Sequence, residues 1–266
     1  MKKVILILIL FLSCYFIYNK TLDEKLYYVT IGDFLSKGIN YNGTSSYGYS
    51  DYIEYYLEKN RILKGYNNTF TSIDYRIIDI IKILEYNEKK DNLSLNYLIK
   101  RADIITLSLG MNELYYKLNR DTQNIYTYID DMINNYDKIL SYINSFHHKK
   151  VFILGYYNIL GKNNDIFNYA NYKLKKLCNN YEYIYIDLSK IFNNNPTYIN
   201  IDNSFIPNQE GYEKISQIII DKFENNWYNI LRNFITMTQL SWRKERNYEK
   251  KYSSKLCRIN CYLCMW

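Results

Sequence analysis

Apolar positions along this chain switch between two rhythms. Near-continuous apolar runs of strand length fall at 26–31, 66–70, 103–109, 150–155 and 181–187, most clearly in Ile104-Ile105-Thr106-Leu107-Ser108-Leu109 and Val151-Phe152-Ile153-Leu154. Runs of this kind suit strands covered on both faces. Between them, three-to-four spacing predicts helices over 49–63, 75–85, 125–145, 165–178 and 209–224. In the last of these, Tyr212, Ile215, Ile218, Ile219 and Phe223 form one core-facing stripe. Strand–helix alternation predicts a parallel sheet with helices on both faces and right-handed crossovers, in one domain over 26–226. Sites in such α/β folds lie beyond the carboxyl ends of the strands.

The pattern breaks at both ends. Lys2-Lys3 precedes fifteen residues, Val4 to Tyr18, that carry no charge. This run is shorter than the roughly 17–25 residues a full span needs, and it fits a signal peptide or short membrane anchor over 1–18, followed by a polar linker over 19–25. Phe11-Leu12-Ser13-Cys14 resembles a bacterial lipobox, which would make Cys14 the lipidated residue of a lipoprotein. Anchor and lipoprotein both stay open. Either one sets the domain on the outer side of a bacterial membrane, because paired lysines hold the N-terminus inside.

Composition adds less. The 33 tyrosines accompany abundant Asn, Lys and Ile, a bias that reads as A/T-rich coding, so tyrosine content alone is a weak sign of ligand stacking. Net charge is +7, but the segment 227–266 holds eight basic residues against two acidic ones, so six of those seven charges belong to it. The remaining body is close to neutral, and no nucleic-acid partner is expected for it. That segment also carries all three tryptophans and three of the five cysteines. It reads either as an appended basic helix or as a disordered or frame-shifted tail. Cys257, Cys261 and Cys264 have zinc-like spacing but lack a clear fourth ligand. No metal or cofactor is expected, and no disulfide framework supports the main domain.

Candidate chemistry concentrates in three places. Ile31-Gly32-Asp33-Phe34-Leu35-Ser36-Lys37-Gly38 follows the first strand, Leu107-Ser108-Leu109-Gly110-Met111-Asn112-Glu113 follows the third, and Pro207-Asn208-Gln209-Glu210-Gly211-Tyr212 opens the last helix. In this order, over roughly 26–224, they resemble the blocks of the SGNH (GDSL-type) hydrolases, a family of serine esterases and acyl hydrolases. The resemblance implies a three-layer α/β/α sandwich around a flavodoxin-like parallel sheet. It also implies a site in which a serine follows Gly32 and Asp33, Gly110 and Asn112 form the Gly-x-Asn element, and the Asn112 amide binds an oxyanion. The stretch 67–76 matches the family's second block loosely, with Asp74 in the place of an oxyanion-hole glycine.

This sequence departs from the family where the reaction needs it most. Phe34 stands at the nucleophile position, Ile206 at the histidine position and Asn203 at the acid position, with Asp202 one residue out of register. A phenyl ring cannot attack an ester, and isoleucine cannot take a proton. Ser36, two residues on, is expected to be a loop hydroxyl that caps backbone. His147 and His148 lie at the amino end of a strand, far from the expected site, and read as part of a solvated basic turn with Lys149 and Lys150. The expectation is therefore an envelope protein of ester-hydrolase lineage, acting by family on acyl esters of lipid or carbohydrate, with its catalysis impaired. The alternative is a non-catalytic pseudoenzyme that binds an acylated or glycan envelope ligand. Oligomeric state is left open.

Overall fold

The computed structural model describes residues 25–40, 42–158, 163–193, 195–200 and 205–224. The 1–18 segment, nearly all of the 19–25 linker, the 227–266 tail, Asp202 and Asn203 lie outside them. The chain divides into two compact units, one ending at Ile219 and one beginning at Ile220; of the second, residues 220–224 are described and are helical. No helix among the described residues is long and apolar enough to cross a membrane.

Five parallel strands form the central sheet: β1 (Leu26–Gly32), β2 (Leu63–Asn67), β5 (Ile104–Ser108), β6 (Lys150–Leu154) and β7 (Ile184–Ile186), in the order β2-β1-β5-β6-β7. A two-stranded hairpin, β3 (Lys89–Lys90) with β4 (Leu93–Ser94), stands apart from it. Around the sheet lie α1 (Phe34–Lys37), α2 (Tyr49–Lys59), α3 (Ile77–Glu85), α4 (Leu95–Arg101), α5 (Met111–Arg120), α6 (Ile125–Phe146), α7 (Asn164–Asn180), α8 (Ser189–Phe192) and α9 (209–224). The expected three-layer α/β/α fold is present. Every residue of β5 is buried, as the uninterrupted apolar run requires of a central parallel strand.

Three boundaries differ from expectation, each for a local reason. Helix α2 stops at Lys59 because Arg61 takes a left-handed φ of 61° and the Asn60 side chain donates back to the Tyr56 carbonyl at 2.8 Å. Strand β2 then runs from Leu63, earlier than predicted, and ends where the Asn67 side chain accepts from Thr69 N–H in a turn. The last strand shrinks because Glu182 is also left-handed, at φ 57°. Helices α1, α4, α5 and α8 are absent from the predicted set: α1 and α8 are single turns, α4 is a two-turn element, and α5 begins inside the Gly-x-Asn motif.

Candidate functional site

Strand order reverses at β1. From there the chain goes outward to β2 on one side and then returns to β5 on the other, so the crevice beyond the carboxyl ends of β1 and β5 is the fold's binding position. Gly32 closes β1 there because nothing larger fits. A Cβ on Gly32 would lie 2.2 Å from the Ser108 carbonyl oxygen, and its φ of 153° is one that side chains rarely adopt. Asp33 follows, its N–H donating to Ser108 O at 2.8 Å. Its Oδ1 caps α1 by accepting from Leu35 N–H at 3.1 Å and also accepts from the Ser108 hydroxyl at 3.0 Å. The other oxygen, Oδ2, is buried without a partner. Burial pushes the Asp33 carboxyl up to about 7, against the pull of the Leu35 and Ser108 hydrogen bonds.

Phe34, at the nucleophile position, is only 1% exposed. Its ring meets Phe205 edge to face, with centroids 5.6 Å apart. Phe205 in turn packs on Tyr115 at 4.8 Å, and Tyr115 on Phe167 at 5.5 Å. The Tyr157 hydroxyl donates to the Phe205 carbonyl and so fixes the segment that carries Ile206, which is 4% exposed. An apolar aromatic cluster thus fills the nucleophile position and reaches the residue next to the histidine position.

Ser36 lies in a helix rather than a loop, but its hydroxyl does serve backbone as expected, donating to Ile31 O at 3.3 Å. It is buried in α1, its hydroxyl 2.7 Å from that of Ser108, 2.9 Å from that of Tyr49 and 3.2 Å from that of Thr30. Thr106 and Tyr28 extend this hydroxyl network beneath the crevice. In this position Ser36 serves packing and cannot meet a substrate.

Gly110 and Asn112 sit where the family motif puts them, after β5. Gly110 is left-handed at φ 94°, and a Cβ on it would lie 2.6 Å from the Tyr156 hydroxyl. One N–H of the Asn112 amide donates to the Ile73 carbonyl at 2.7 Å. Glu113 Oε1 accepts from Ile77 N–H at 2.9 Å, supplying the first turn of α3 from another element, while Oε2 has no partner. Burial pushes the Glu113 carboxyl up to about 7, opposed by the Ile77 N–H and by Arg76. Asn112 and Glu113 together clamp the second-block segment, on which Asp74 is exposed.

The final block behaves as its sequence suggests. Asn208 caps α9, its Oδ1 accepting from Gly211 N–H at 2.9 Å. The buried Tyr212 hydroxyl accepts from Ile39 N–H at 3.2 Å and lies 3.5 Å from the Phe34 carbonyl oxygen. The acid position, Asn203, and its neighbour Asp202 lie outside the described residues. His147 departs from expectation. It stands at the amino end of β6, but it is 3% exposed rather than solvated, and burial lowers its pKa. Lys149 and His148 are the exposed members of that turn, with Lys149 paired to Asp103.

A cavity of about 570 Å³ opens between the start of α3, α5 and α6. Asp74, Asn112, Glu113, Tyr116, Tyr128 and Asp131 contribute its polar wall, and Phe34 and Ile206 do not line it. Sequence reasoning missed Phe205, Tyr115 and this cavity. The compositional abundance of tyrosine hid the two rings of the Tyr115-Tyr116 pair, which follow the Gly-x-Asn motif and face different surroundings. Among the described residues no group of three His, Cys, Asp or Glu could hold a metal ion.

Solved structures share this architecture. A lipase from a goat rumen metagenome, Lip_vut3, is 19% identical with a TM-score of 0.61, covering 74% of this chain and 97% of its own. The acetylxylan esterase Axe2 from Geobacillus stearothermophilus is 13% identical with a TM-score of 0.57, covering 74% and 93%. LAE5, an alpha/beta hydrolase enzyme from the metagenome of Lake Arreo in Spain, is 14% identical at 0.54, covering 74% and 94%. The sequence matches none of the curated proteins at a significant level. The model of the GDSL-like lipase/acylhydrolase family matches residues 28–219, a span that takes in the central sheet except the first two residues of β1, together with the first, third and final blocks, and the chain belongs to that family.

Proposed function

We propose that this protein is a non-hydrolytic member of its family, held at a bacterial cell envelope, that binds an acylated or glycan ligand without cleaving it. One observation carries the reading: the nucleophile position is a buried phenyl ring locked against Phe205, and the base position is a buried isoleucine. Losing nucleophile and base together removes on the order of 10⁶ in kcat from a serine mechanism. Ser36 offers no substitute, since its hydroxyl is held by Tyr49 and Ser108 beneath the crevice. The ligand class follows from the family and from neighbours that include a lipase and an acetylxylan esterase. The envelope assignment rests on Lys2-Lys3 and the apolar run behind them.

Hydrolysis of p-nitrophenyl acetate by the full chain, with and without a serine-directed fluorophosphonate, tests the reading. Turnover at the level of a heat-denatured control, with no fluorophosphonate adduct by mass spectrometry, is the expected result. Turnover that the fluorophosphonate abolishes would overturn it.

A further inference from the structure

The cavity beside the family crevice has a wall of definite character. Its volume of about 570 Å³ falls in the range typical of small-molecule sites, about 300–1,000 Å³. Asp74 and Asp131 supply two carboxylates and Glu113 a largely buried carboxyl group, against the single lining cation Arg76. That cation is already engaged: Arg76 Nε lies 3.3 Å from Asp79 Oδ2. An anionic ligand, whether a fatty-acid carboxylate or a phosphate, would meet the two unpaired carboxylates Asp74 and Asp131, against a cation that is shared with Asp79. An acyl chain would find an apolar floor of only Ile77, Ile78 and Met132.

The remaining groups fit hydroxyls and C–H faces. Among the described residues Asp74 and Asp131 are exposed and have no ion-pair partner, whereas both oxygens of Glu113 are turned into the protein and only the rest of its side chain borders the cavity. Tyr128, half-buried on α6, and Tyr116, on α5, put two aromatic side chains on the same wall; Lys117 stands 5.7 Å over the Tyr128 ring and Arg120 4.2 Å over the Tyr116 ring, which leaves one face of each for a ligand. Carboxylates that accept from hydroxyls, with aromatic faces that cover C–H surface, form a set of contacts that a neutral sugar ring satisfies. We infer that this cavity is a binding site for a neutral carbohydrate, held by Asp131 and Asp74 through its hydroxyls and by Tyr128 and Tyr116 through their ring faces. This narrows the ligand class in the proposed function and rests on that reading in requiring a bound ligand; the cavity shares Asp74 and Asn112 with the second and third blocks but does not include Phe34 or Ile206.

Isothermal titration calorimetry of the full chain with cellohexaose, xylohexaose and chitohexaose, and with decanoate as the acyl probe, tests the site. At least one oligosaccharide should bind, and decanoate should not. Asp131→Ala and Tyr128→Ala should each weaken that binding about tenfold or more, as loss of a charge-assisted hydrogen bond or a ring contact does. Tyr86→Ala, on a remote exposed side chain, should leave it unchanged. Asp131 is exposed, so its variant keeps the fold, which a matching circular dichroism melt checks. Absence of binding to all three oligosaccharides, binding of decanoate alone, or saccharide binding untouched by both variants overturns the inference. Failure here with p-nitrophenyl acetate still uncleaved strikes this site alone. Saccharide binding alongside true ester turnover strikes the non-hydrolytic reading and leaves the site standing.

Discussion

Phe34 and Phe205 meet edge to face, their ring centroids 5.6 Å apart and their planes inclined by 83°. The contact joins the first block of the sequence to its last through apolar surface, where the family's chemistry would need a hydroxyl. Phe34→Ser should therefore destabilise the fold, by about 3–5 kcal/mol if the site relaxes as little as in typical large-to-small core changes. Chemical denaturation of the two proteins measures this directly, and a loss below about 1 kcal/mol would mean that the cluster repacks.

Activity should respond to pairs of changes rather than to single ones. Phe34→Ser alone should leave p-nitrophenyl acetate turnover at background, because Ile206 still provides no base. The double variant with Ile206→His should raise it above both single variants. Turnover from Phe34→Ser alone would show that another group takes the proton and that position 206 is not the base position.

Tyr212→Phe removes one oxygen and leaves the ring. The Ile39 N–H that it served at 3.2 Å would then be buried without an acceptor. A loss of about 1–3 kcal/mol is expected, read as a lower denaturation midpoint at unchanged slope.

Stability should fall as pH rises from about 4 to about 7. Asp33 has its carboxyl raised from 3.8 to about 7 in the fold, and Glu113 from 4.5 to about 7, both chiefly by burial. A raised acid holds its proton in the folded state over a window where the unfolded chain has already released it. Folding therefore loses ground through that window and levels off above it. Asp33→Asn keeps a competent helix cap while removing the charge, and Glu113→Gln does the same for the second group. Melting curves of the double variant between pH 4 and pH 8 should slope less than those of the parent; an unchanged slope would show that neither carboxyl drives it.

Much of the architecture was legible in the sequence, because buried parallel strands leave continuous apolar runs and amphipathic helices leave stripes. The β5 and β6 runs, the α9 stripe and the Asn208 cap are where those patterns put them. Boundaries failed where a single residue adopts a left-handed backbone, as at Arg61 and Glu182, since neither residue type advertises it. The positions of Gly32, Phe34 and Asn112 at the ends of their strands could be anticipated from the family resemblance. Their partners could not. That Phe34 would find Phe205, that Asn112 would bond Ile73 and that His147 would be buried depend on contacts between segments far apart in sequence.

The Asn112 amide has a consequence for how family resemblance is interpreted. Its hydrogen bond to Ile73, with Glu113 holding Ile77 beside it, makes the most family-like motif of this chain a brace between two segments of the scaffold. Substitution of Asn112 would register in a melting curve whether or not any ester is ever cleaved. An intact signature at this position reports that the loop is anchored, and it says nothing of whether the neighbouring crevice turns over.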